Sequence, residues 1–188
     1  MYGKDRDGIG RPVAVTKDGV IKVSGSLSEA TLDKRIFSVA NQTVVATTAA
    51  LTTTWTGLGV SNPVGSGKNV IIHEFAWTLK KKPDGESTLG LMTSDTTGFA
   101  DSLTAKSGFA GYDSTSVVYC DAGATIATPI LERIYQSFGE SDDWIHSPVG
   151  LVNINGSIVL PPGRSVMTYT SKGFSECQFH FVWEEAHV

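Results

Sequence analysis

Charge is scarce in this chain: only 18% of its 188 residues are Asp, Glu, Lys or Arg. Long apolar runs are missing too, since nowhere do about 18 apolar residues follow one another, and that excludes a membrane-spanning helix as a sequence expectation. The opening Met1-Tyr-Gly-Lys-Asp-Arg-Asp-Gly8 is polar and charged, so no apolar signal segment is expected and synthesis in the cytoplasm is. Cysteine is limited to Cys120 and Cys177. Both stand in strand-like apolar surroundings, which reads as buried free thiols in a reducing compartment rather than a disulfide framework.

Catalytic signatures are equally thin. Gly65-Ser-Gly-Lys68 is similar to a phosphate loop, but Asn62 stands where that motif needs glycine and Asn69 where it needs Ser or Thr, so no nucleotide is expected. The histidines His73, His146, His180 and His187 are scattered, with no two at metal-ligand spacing. Glu184 and Glu185 are sequence neighbours, and on a strand they point to opposite faces, so they do not form a general acid/base pair. Asp142-Asp143 lacks the regular oxygen-ligand spacing of a calcium loop and reads as a solvated acidic turn. No Gly-x-Ser-x-Gly context is present, and neither cysteine sits in a catalytic setting. The expectation is no catalytic residue, no metal and no cofactor. Nucleic acid is not expected as a partner either, because the one basic run, Lys80-Lys81-Lys82, leads into a Pro-Asp-Gly turn and no basic face is clustered.

What the chain does have is glycine, 20 residues of it, with abundant Thr and Ser and short apolar stretches between turn residues. Along 177–183 the residues Cys177, Phe179, Phe181 and Trp183 share one face while Gln178, His180 and Val182 share the other, the period-2 pattern of a half-buried strand. Strands are expected near 36–46, 52–57, 69–81, 87–93, 115–120, 125–138 in one or two pieces, 149–160, 164–170 and 176–184. Eight or so strands separated by Gly, Pro and Asp/Ser turns suit an all-β antiparallel sandwich. Residues 128–139 also fit a helix, with Pro129 in its first turn and Gly139 past its end, but the β context favours a strand.

Residues 1–35 read differently. Seven basic and five acidic groups give them a net charge of +2, against eight basic and fourteen acidic groups, a net of −6, in the remainder. Their apolar residues fall in short extended pieces, 11–16 and 20–23, around the turn pair Asp18-Gly19, which suggests an arm with one small hairpin. Such a hairpin is marginal alone and needs a surface to order against. Fully extended, the arm reaches on the order of 110 Å. Two further segments, the long loop 94–114 with Phe99, Phe109 and Tyr112 and the stretch 139–147 with Trp144, carry spaced aromatics that suit contacts with a partner.

Four stretches together resemble a known family: Gly10-Arg-Pro-Val-Ala-Val-Thr-Lys-Asp-Gly-Val-Ile-Lys-Val23, Ser61-Asn-Pro-Val-Gly-Ser-Gly-Lys-Asn-Val-Ile-Ile72, Gly156-Ser-Ile-Val-Leu-Pro-Pro-Gly163 and Phe181-Val-Trp-Glu-Glu185. They look like capsid cement or decoration proteins of tailed bacteriophages. The resemblance implies a jelly-roll body over 36–188, assembled as a homotrimer on the outer surface of the phage head, with the arm, 1–35, gripping the major capsid protein. On that reading Arg6, Arg11, Val13, Val15 and Ile21 are the arm's capsid contacts, and Phe99, Phe109, Tyr112 and Trp144 are oligomer-interface candidates. The competing class is a receptor- or glycan-binding sandwich of a phage tail or fibre, in which Trp55, Trp144 and Tyr112, where exposed in loops, stack on sugars; the alternative is that Trp77 and Trp183 are core and the others lie at an interface.

Overall fold

The computed structural model describes residues 2–4, 10–12, 27–81, 83, 85–95, 99–139, 149–174 and 176–188, the first two stretches as backbone only. It is an antiparallel β-sandwich. After the paired pieces β1 (Tyr2–Lys4) and β2 (Gly10–Pro12) come one helix, α1 (Leu27–Leu32), and ten strands: β3 (Ile36–Ala40), β4 (Thr54–Asn62), β5 (Lys68–Leu79), β6 (Ser87–Ser94), β7 (Lys106–Ser107), β8 (Tyr119–Thr125), β9 (Ile130–Phe138), β10 (Val149–Leu160), β11 (Arg164–Thr170) and β12 (Cys177–His187). One sheet runs β10-β5-β12-β3-β7 and the other β8-β4-β11-β6-β9. Every connection from β3 onward changes sheet except β8 to β9, where residues 126–129 carry the chain from one edge of the second sheet to the other.

The closing strand behaves as its pattern requires. Cys177, Phe179, Phe181 and Trp183 are all buried between the sheets, and β12 lies in the middle of its sheet between β5 and β3. In β5 the inward residues are Val70 and Ile72, then Phe75, Trp77 and Leu79, a pattern of period 2 that slips by one at His73-Glu74. A slip would turn half of the strand's apolar groups outward. The structure absorbs it in a register shift against β12 between Val182 and Trp183, so both halves face the core. β10 does the same between Asn153 and Ile158, with Asn155 and Gly156 at positive φ.

Some boundaries differ from the sequence expectation. At the start Tyr2–Lys4 pairs with Gly10–Pro12, Gly3 opposite Arg11; the expected hairpin around Asp18-Gly19 lies, beyond Pro12, outside the described residues. The strand expected at 115–120 occupies Tyr119–Thr125, because Ser116 and Val117 are bound to a buried carboxylate instead of to a neighbouring strand. Residues 130–138 are a strand and not a helix. Residues 27–35 join the sandwich: Arg35 accepts a hydrogen bond from the Glu185 N–H and its guanidinium pairs with Glu184.

Two apolar clusters form. The larger fills the space between the sheets, around Phe37, Leu58, Ile72, Phe75, Leu91, Phe179, Phe181 and Trp183. The smaller, Trp55, Met92, Phe99, Ile126 and Met167, is built on the cross-strand row Gly59, Met167 and Met92. Gly59 makes room for it, since a Cβ there would sit 2.7 Å from the Phe99 ring.

Candidate functional site

Continuing the alternation of β12 by one more step puts a charge in the core, for Glu185 is 2% exposed. An unpaired carboxylate there would be strongly destabilising, so its partners decide whether the strand can exist. Lys68 Nζ lies 2.7 Å from Oε2, while Ser116 Oγ at 2.5 Å, the Val117 N–H at 3.1 Å and Trp183 Nε1 at 3.5 Å donate to Oε1. Glu185 is thereby saturated and pins residues 116–117 to the sandwich. Glu184, on the opposite face as expected, takes Arg35 and faces His73 at 3.4 Å.

A second buried carboxylate holds the long loop. Asp121 in β8 accepts from the Ala100 N–H at 2.8 Å and from Ser102 Oγ at 2.5 Å, and its neighbours Ala122 and Gly123 donate to it as well. Asp101 in turn accepts from the Cys120 N–H at 3.0 Å, and the Leu103 N–H donates to the Cys120 carbonyl. Residues 99–103 therefore lie along β8 and cover it. This changes the role of two aromatics. Phe99 is buried, stacked on Trp55 at 6.0 Å between ring centroids, so its surface is spent within the chain. Trp55 is 1% exposed with Nε1 donating to the Thr168 carbonyl, which corrects the expectation that it stacks on a sugar. Trp77 and Trp183 are in the core, as expected.

Phe109 and Tyr112 are brought together. Their rings meet edge to face at 4.7 Å, Lys34 Nζ sits 3.7 Å above the Tyr112 ring, and Tyr112 is 52% exposed. Beside them an apolar groove is lined by Thr31 and Leu32 of α1 and by Gly108, Phe109 and Ala110. Trp144 lies outside the described residues, as do Arg6, Val13, Val15 and Ile21 of the arm; Arg11 falls in β2, its side chain outside the description.

His73 and His180 stand on the outer face of the first sheet. Burial holds both imidazoles below their ordinary pKa, with Glu74 pulling the other way. His180 borders a shallow depression walled by Ala40, Ala76, Thr78, Val149 and Gln178. Both cysteines are buried and free; burial raises the Cys177 thiol to about 12 and raises the Cys120 thiol as well, with Asp101, Glu185 and Asp121 adding to the effect at Cys120. Among the described residues no three His, Cys, Asp or Glu side chains gather in a way that holds a metal ion, and no helix is long and apolar enough to cross a membrane.

Sequence reading missed the side of the sandwich where β9 and β10 are the edge strands. Ile130, Leu131 and Ile134 on β9 and Val149, Leu151 and Val159 on β10 are exposed. Arg133 bridges the two strands, Nη1 donating to Ser157 Oγ at 2.9 Å and Nη2 to the Ser157 carbonyl at 3.1 Å. The signal available in the sequence was the absence of any charge from Val149 to Leu160. Compared with known proteins, the chain matches no family model, no curated protein and no solved structure.

Proposed function

We propose that this chain is a virion structural protein of the capsid cement or decoration type, an oligomeric jelly roll that binds the outside of an assembled phage head and stabilises it. The observation that carries the reading is what the fold does with its polar chemistry. Glu185 and Asp121 are consumed in holding loops, and both thiols are buried, while the chain turns apolar side chains outward on edge strands and beside α1. That is the economy of a protein that works by contact. The strand order supports the jelly roll: β3, β12, β5 and β10 lie side by side in one sheet and β4, β11, β6 and β9 in the other, the sequence β3–β6 and β9–β12 alternating between them.

Such a protein stabilises a capsid by mass action, because a ligand that binds only the assembled lattice adds its binding free energy to that state. A homotrimer with three arms, as the resemblance implies, binds multivalently, and modest contacts per arm then give long residence. The test is co-sedimentation of the full chain with phage heads stripped of their decoration, run beside the full-length variant Arg6→Glu/Arg11→Glu. Saturable binding that weakens in the variant supports cement function through the arm. Absence of binding by the unaltered chain overturns it.

A further inference from the structure

We infer that the side of the sandwich formed by the edge strands β9 and β10 is the surface on which a second copy of this chain docks; this locates the self-association named above and rests on it. The two sides of the sandwich are treated differently. On one, β7 is two residues long and β8 is covered by residues 99–103 through the Leu103 and Asp101 hydrogen bonds to Cys120. On the other, β9 is nine residues long and β10 twelve, each paired on one side only within its sheet, and the Arg133 side chain bridges from β9 to Ser157 of β10. Edge strands of stable monomers are kept short, carry lysine or proline, or lie under a loop. From Val149 to Leu160 β10 has neither a charge nor a proline; its irregularity is the bulge between Asn153 and Ile158, and before it Val149 and Leu151 are 74% and 57% exposed. On β9 Ile130 and Ile134 are more than half exposed.

Charge names the occupant. The chain carries fifteen basic and nineteen acidic groups, a net charge of −4, so two copies repel each other over most orientations. The charged residues of β9 and β10 are Glu132 and Arg133 alone, one of each sign. The two strands together are therefore neutral, with Glu132 of one copy able to face Arg133 of the next. Arg133 is already oriented for this by its two hydrogen bonds to Ser157. A strongly acidic or basic partner finds no opposing field here. Copies that bury this side against one another gather about a common axis.

The experiment is sedimentation velocity of the full chain beside Ile134→Lys, Leu151→Lys and the control Leu32→Lys, whose exposed leucine lies in α1 beside β3 and Phe109, at the opposite edge of the first sheet. The unaltered chain and the control sediment at two or three times the single-chain mass; both edge variants weaken assembly by at least about 30-fold. Circular dichroism checks that each variant is folded, and Val149→Lys replaces either that is not. A monomeric unaltered chain at about 100 µM overturns the inference, as do edge variants that assemble normally. A monomer that binds stripped heads, and loses that binding in the edge variants, assigns the side to the capsid instead. Assembly through this side without any head binding would overturn the cement function and leave the docking surface standing.

Discussion

Lys68 and Glu185 face each other across 117 residues of sequence, with 2.7 Å between Nζ and Oε2 and the carboxylate side chain only 1% exposed. The first residue of β5 and the last inward residue of β12 are so tied at one end of the sheet. Lys68→Met leaves Glu185 buried with hydrogen-bond donors but no countercharge. Urea unfolding should show a loss of about 3 kcal/mol. The double variant Lys68→Met/Glu185→Leu should recover part of that loss, because both charges are then gone.

Gly150 in β10 lies against the indole of Trp77, where an added Cβ would come within 2.0 Å of the ring. Trp77 is itself packed against Phe75 and Tyr135. Gly150→Ala should destabilise the fold by about 2–3 kcal/mol through overpacking, read as a lower Tm and an altered near-ultraviolet tryptophan spectrum.

Thr128, in the crossing between β8 and β9, has φ +42°, a left-handed conformation unfavourable for a β-branched residue. Asparagine tolerates that region far better. Thr128→Asn should raise stability by about 1 kcal/mol, measured by urea unfolding.

His73 and His180 hold fewer protons when folded than when unfolded, because burial lowers both pKa values. A depressed imidazole pKa means that the unfolded chain takes up protons first as pH falls, so stability rises with pH in that window and is lost on acidification below the ordinary histidine value of about 6.5. The groups facing them are Glu74, Glu184 and Arg35. The urea midpoint should fall between about pH 7 and about pH 5.5, and His180→Gln should flatten that decline. An unchanged slope in the variant would place the acid sensitivity elsewhere.

Much of the sandwich was legible because its strands advertise themselves. The alternation in 177–183 placed Phe179, Phe181 and Trp183 inward, and Pro161-Pro162-Gly163 marked the turn between β10 and β11, with Gly163 at φ +89°. Extended chain alone did not locate β8, since Ser116 and Val117 are just as strand-like as their neighbours but are claimed by Glu185, whose burial depends on pairings far away in sequence. Trp55 was misplaced for a related reason: a register shift between Thr56 and Gly59 turns it into the second cluster, and nothing local signals the shift. The open β9–β10 side was invisible because being an edge is a property of topology; Ile134 and Phe181 look alike until the strand order is known. Phe109 and Tyr112 were singled out by their spacing in a long loop, and the fold does set them together on the surface.

The strand order also dictates when the molecule can exist during synthesis. β11 occupies the middle of one sheet and β12 the middle of the other, and of the strands of this sandwich they are the last two to be synthesised. Until they emerge, β4 has no bond to β6 and β3 none to β5, so each sheet is two separate pieces with its aromatic interior uncovered. Closure of both sheets therefore depends on pairings distant in sequence, for which folding on the millisecond-to-second timescale is expected.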